Sequence, residues 1–167
     1  MNQLLSTRAK NLKSSPTLAL VAKAKELVAQ GHDVISLTVG EPDWPTYAVA
    51  AEAGIKAIKT GFTKYTAAQG TIELRRAIQS RTQTDLGLDY KAANEIAVTS
   101  GAKFAIFASL QVVCDEGDEV IIPSPYWVSY PTMVELAGAV PRIVTCDETV
   151  GFKMSAEMLE KNINAKT

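Results

Sequence analysis

Cysteine and histidine are scarce in these 167 residues: Cys114 and Cys146 have no C-x-x-C spacing, and His32 is the single histidine. That inventory speaks against a metal centre and for two buried thiols in a reducing compartment. Runs of like charge are missing too. With 17 Lys and Arg against 18 Asp and Glu the net charge is −1, so neither a nucleic-acid face nor a polybasic membrane patch is expected. No apolar run reaches membrane-spanning length and the N-terminus has no signal-peptide apolar core, which gives a cytoplasmic location as the expectation. Neither G-x-G-x-x-G nor G-x-x-x-x-G-K-[ST] occurs, which argues against dinucleotides and nucleoside triphosphates.

What the chain does contain is 47% apolar and 21% charged residues, the balance of a globular protein with a core, at a length of about one domain. Residues 1–14 are polar with scattered Leu and the cations Arg8, Lys10 and Lys13, and read as an arm. Ser15 as cap and Pro16 in the first helical position predict a helix whose stripe of Leu20, Val21, Ala24, Leu27 and Val28 ends at Gly31. Residues 34–39 predict a strand leading into Gly40-Glu41-Pro42-Asp43, a turn with exposed backbone. Further helices are expected over 47–59, stopping at Gly61, and over 72–84 with Thr71 as cap. Between them Tyr65, taken alone, is an ordinary loop tyrosine.

Residues 95–130 organise the rest. The β-branched run 96–99 predicts a buried strand, followed at once by Ser100-Gly101-Ala102-Lys103 and an apolar segment, 102–113, in which only Lys103, Ser109 and Gln111 are polar. Such a segment is expected to be a helix packed inside a domain. Its start gathers backbone N–H groups and the positive end of the helix dipole, the arrangement that attracts phosphate. After a turn at 115–118 a second strand is expected over 119–122, where Pro123 and Pro125 stop it and place Trp127 beyond its C-terminal end. Open α/β sheets bind ligands along that edge. A helix over 129–136, a strand over 140–145 and a helix over 155–162 complete the alternation, which predicts an α/β fold with a mainly parallel sheet and flanking helices.

Taken singly these features leave the ligand open. Together, VTSGAK and DEGDEVIIPSPYWVSYP, with GEPD and TKYTAAQG upstream, resemble the first part of the class I aminotransferases of the pyridoxal-phosphate type I fold, and among them the shorter bacterial aspartate aminotransferase branch. The resemblance runs from Arg8 to Thr167 with the motifs in the family's order. It implies an incomplete type I fold, with residues 1–45 as arm and part of the small domain and 46–167 as the first part of the large cofactor domain. It further implies pyridoxal 5'-phosphate as cofactor, amino acid and 2-oxo acid substrates, and a homodimer with shared active sites. By position, Gly101, Ala102 and Lys103 match the family's phosphate cup and Trp127 its ring-stacking residue. Tyr65 matches the tyrosine that reaches the neighbouring subunit's cofactor phosphate, and Gly40 the backbone contact to the substrate carboxylate. Lys103, with Lys13 from the arm, matches the cations that meet a distal carboxylate.

Transamination also needs a lysine that holds the cofactor covalently, a partner for the ring nitrogen and an arginine for the substrate carboxylate. None of the family motifs that carry these groups occurs within 1–167, so no catalytic residue is assigned here and the chain by itself is expected to be inactive. Two other readings stay open: a stand-alone module that binds a phosphorylated ligand without chemistry, and a nucleotide-dependent oxidoreductase domain, which the missing glycine fingerprint disfavours.

Overall fold

The computed structural model describes residues 4–11, 16–38 and 40–167. In chain order the elements are α1 (Thr7–Asn11), α2 (Pro16–Ala29), α3 (Ala48–Lys59), α4 (Ile72–Leu86), α5 (Ala102–Val113), β1 (Glu119–Ser124), α6 (Ser129–Leu136), β2 (Val140–Thr145), a 3₁₀ turn at Glu148–Val150, and α7 (Ala156–Asn162). The architecture is α/β with a parallel sheet of two strands. Two compact units are formed, one by Met1–Gly40 with Ile106–Thr167, the other by Glu41–Ala105.

In the first unit β1, α6 and β2 make a strand–helix–strand crossover, with Glu119 paired to Val140 and Ser124 to Thr145 at the two ends of the register. The core lies under this crossover: Ile122, Val134 and Ala139 are buried together, with Leu110, Cys114, Val120 and Tyr130 packed against them. Burying one such aliphatic side chain contributes about 1.5–3 kcal/mol. Helix α6 stops by a defined device. Gly138, at φ 85°, donates its N–H to Glu135, and Ala139 donates to Val134 five residues back. The two bonds satisfy the last carbonyls and turn Ala139 into the core, and only glycine holds that φ without strain. Gly31 and Gly61 end α2 and α3 with the same pair of bonds, as the sequence leads one to expect.

In the second unit, Thr71 caps α4 by accepting from the Leu74 N–H at 3.4 Å, and Gly87 closes it at φ 70°. Arg75, on the second turn, is the one buried charged residue among the described residues. Its Nε donates to the Gly70 carbonyl at 3.2 Å, and its Nη1 donates to Ala92 at 2.5 Å and Ala93 at 3.0 Å.

Four expectations change. Residues 34–38 and 96–99 belong to no sheet, and Val39 lies outside the described residues. A segment becomes a strand only when a neighbour completes its ladder; in 96–99 the Val98 N–H donates to Gln69, in a loop, at 2.9 Å, and the Thr99 carbonyl accepts from the Gly101 N–H. Strand β1 continues through Pro123, opposite Val144, to Ser124. Proline fits there because β1 is an edge strand whose residue 123 needs no donor on its open side. Helix α5 has the expected bounds but no buried residue; Phe104, Val112 and Val113 are exposed. Its all-round apolar character is that of a covered helix, and among the described residues it is covered only in part, with Leu110 packed against the core. Cys146 is buried and Cys114 half-buried, both as free thiols. The arm contains one unanticipated helical turn, α1, from which Arg8 reaches the Leu136 carbonyl at the end of α6 at 3.4 Å.

Candidate cofactor and substrate site

The site begins with the turn that starts α5. Gly101 takes φ 86°, its N–H donates to the Thr99 carbonyl at 2.8 Å, and its own carbonyl accepts from the Thr99 hydroxyl at 3.0 Å and the Ala105 N–H at 3.2 Å. The chain is thereby reversed within two residues, and α5 begins at Ala102 with Gly101 supplying its first acceptor. A Cβ built on Gly101 would meet no atom within 4 Å, so the glycine serves the left-handed backbone and leaves the approach open. Gly101, Ala102 and Lys103 are all exposed. A helix of this length carries about half a positive charge at its start, beside which Lys103 adds a full one. The donor set suits a phosphate dianion, and the open glycine gives its oxygens room.

In the same unit Tyr65 stands in the loop between α3 and α4 and is fully exposed, 106% relative to a free residue. Its loop is anchored at the far end, where Gly70 donates to the Ala67 carbonyl at 2.9 Å and Arg75 grips the Gly70 carbonyl.

In the other unit the end of β1 delivers Trp127. The strand closes at Ser124, whose carbonyl accepts from the Cys146 N–H at 2.8 Å, and the Ser124–Pro125 peptide is cis. The Trp127 indole packs against Tyr130 edge to face, with centroids 5.5 Å apart and planes at 86°, and the Tyr130 N–H donates to the Trp127 carbonyl. The residue nonetheless remains 42% exposed. An aromatic pair of this geometry contributes about 0.5–1.5 kcal/mol beyond its area, enough to bias the indole's orientation. Gly40 belongs to this unit as well; it is exposed, and an added Cβ would meet nothing within 4 Å, so its backbone is open to a ligand. Lys13 lies outside the described residues.

Gly101, Ala102 and Lys103 are thus presented together at one helix start, with Tyr65 in the same unit, while Gly40 and Trp127 belong to the other. Sequence reasoning missed Tyr130 as the support of Trp127, and Gly70 and Arg75 as anchors of the Tyr65 loop. A signal for Arg75 existed: it is three residues before Ile78, on the stripe expected to face inward, where a cation needs an explanation.

Comparison with known proteins adds an independent line. A family model described as aminotransferase class I and II matches residues 32–167. The aspartate aminotransferase of Bacillus sp. (strain YM-2) is 47% identical over 167 residues, all of this chain and 42% of the relative. A probable aspartate/prephenate aminotransferase of Rickettsia conorii is 47% identical over 164 residues, 98% of this chain and 41% of the relative. Among solved structures, Thermus thermophilus aspartate aminotransferase with maleate superposes with a TM-score of 0.91 at 42% identity, covering 98% of this chain and 42% of that one. The chain therefore spans about two fifths of the relatives it matches.

Proposed function

Since the chain belongs to the class I and II aminotransferases, a family that works with pyridoxal 5'-phosphate, we propose that it is the N-terminal portion of an enzyme moving an amino group between aspartate, or a related dicarboxylic amino acid, and a 2-oxo acid. The observation that carries this reading is the open Gly101 turn at the start of α5, inside a chain that follows aspartate aminotransferases at 47% identity over its whole length. In this reading residues 1–45 form the arm and part of the small domain, and 46–167 the first part of the large domain of a cytoplasmic protein.

Each residue has a definite task. The amides of Ala102 and Lys103, opened by the Gly101 turn, hold the phosphate, and the indole of Trp127, steadied by Tyr130, stacks on the ring and orients it. The bound cofactor supplies an electron sink for the carbon that loses its amino group. The Gly40 backbone meets the substrate's α-carboxylate. Lys103 and Lys13 meet the second carboxylate, which would be heavily penalised if enclosed without a cation. That the Thermus thermophilus relative was solved with maleate, itself a dicarboxylate, supports this choice of substrate class. Tyr65, wholly exposed, extends to the cofactor phosphate of the neighbouring subunit in a homodimer. The lysine that holds the cofactor is assigned outside residues 1–167.

The test is amino transfer by the intact protein, supplied with pyridoxal 5'-phosphate, from aspartate and from alanine to 2-oxoglutarate. Transfer favouring aspartate is the expected outcome. Binding of the phosphorylated cofactor with no transfer from any amino acid would instead establish a phosphate-ligand module without chemistry.

A further inference from the structure

The buried Arg75 has no carboxylate partner among the described residues, an expensive placement for a guanidinium, and its donors go to backbone carbonyls from two separate segments. One is Gly70, at the end of the Tyr65 loop; the others are Ala92 and Ala93, shortly before the Gly101 turn. One helical turn further on, Gln79 accepts from the Ala92 N–H at 3.2 Å, so α4 holds residue 92 through both its N–H and its carbonyl. The two segments also meet directly. A Cβ on Gly70 would lie 2.9 Å from the Cβ of Val98, and the Val98 N–H donates to Gln69 at 2.9 Å. From these contacts it is five residues to Tyr65 in one direction and three to Gly101 in the other.

We propose that Arg75 is a positioning residue for the phosphate subsite: it binds the Tyr65 loop to the segment that enters the Gly101 turn, so that the two phosphate-contacting parts of one subunit move as one piece. The inference rests on the reading of Gly101–Lys103 and Tyr65 given above. Only a planar fork can address carbonyls on two segments at fixed angles; an ammonium in the same place keeps the charge and loses the geometry. Because Tyr65 serves the neighbouring subunit, the same lock relates one subunit's own phosphate cup to the hydroxyl it lends.

The test compares pyridoxal 5'-phosphate with pyridoxal, which lacks the phosphate, in titrations of the intact wild-type protein and Arg75→Lys, alongside amide exchange of the apoprotein. Arg75→Lys is expected to weaken binding of the phosphorylated form by about tenfold, with pyridoxal much less affected, since a charge-assisted hydrogen bond to the phosphate is misaligned. Exchange should accelerate at residues 65–71 and 91–101 and stay unchanged in β1 and β2. Equal losses for both ligands, or an unchanged ratio with only a lower melting temperature, would make Arg75 a purely structural residue. Should Arg75→Lys fail to accumulate, Gln79→Ala releases the Ala92 N–H without stranding a charge; a reduced ratio supports the proposal and an unchanged ratio overturns it. A wild-type protein with no preference for the phosphorylated form would remove the functional reading itself, whereas a preference that Arg75→Lys retains removes this inference alone.

Discussion

Gly70 and Val98 are in such close contact that a Cβ added to the first would stand 2.9 Å from the Cβ of the second, closer than two carbons can rest. Gly70 also holds φ 93°, whereas Gly87 has a comparable φ of 70° with nothing within 4 Å. Both Gly→Ala substitutions incur left-handed strain of about 1–2 kcal/mol, and Gly70→Ala adds an overpacking cost of about 1–3 kcal/mol. Urea unfolding of the two variants of the intact protein is expected to show Gly70→Ala as the less stable by that increment. Equal destabilisation would mean that the 65–70 loop shifts freely away from Val98.

For Tyr65, the prediction is a loss of cofactor affinity without loss of stability. Its exposure means that the hydroxyl supports nothing within its own chain, so Tyr65→Phe should leave the melting temperature of the apoprotein unchanged. The lost hydrogen bond to a charged phosphate weakens cofactor binding by about 1.5–3 kcal/mol, roughly ten- to a hundredfold. Unchanged affinity would show that no phosphate is within its reach.

Lys103 is predicted to discriminate among substrates. Lys103→Ala should lower kcat/KM for aspartate more than for an aromatic or aliphatic amino acid, by about 1.5–3 kcal/mol in the ratio. A uniform loss over all substrates would assign Lys103 to the phosphate alone.

The Lys91 ammonium, with the Gln79 amide, hydrogen-bonds to Asp89 and holds its carboxyl below the ordinary value of 3.8. A depressed folded-state pKa stabilises the fold at pH values above the unfolded value, and that contribution disappears as pH falls through the folded one. Stability measured down the acid limb should therefore fall less steeply in Asp89→Asn than in the wild type. The difference should shrink in high salt, because the pair is exposed. Identical acid limbs would mean that the Asp89 contacts are not maintained in solution.

Helix ends were the most legible part of the chain because their signals are local. Gly31 and Gly61 each close a helix through bonds spanning six residues, and Thr71 caps one through a bond three residues on. Strands were legible only where both partners lie in these residues, as β1 and β2 do; 34–38 and 96–99 have the composition of strands without a ladder. Residues 102–113 announced a helix correctly, but burial depends on what else packs nearby, and α5 has no fully buried residue here. In the site, motif order pointed to Gly101, Tyr65 and Trp127. Arg75 escaped because its role rests on a contact with a segment 17 residues away, and Tyr130 because a motif gives residue order without the ring contact it makes with Trp127.

The central claim is that the turn at Gly101 is a phosphate cup. A crystal structure of the intact protein with pyridoxal 5'-phosphate tests it most directly. Phosphate oxygens within about 2.7–3.2 Å of the Ala102 and Lys103 amide nitrogens, with the ring against Trp127, are the predicted result. A cofactor phosphate bound elsewhere, with the start of α5 facing only solvent, would contradict the account.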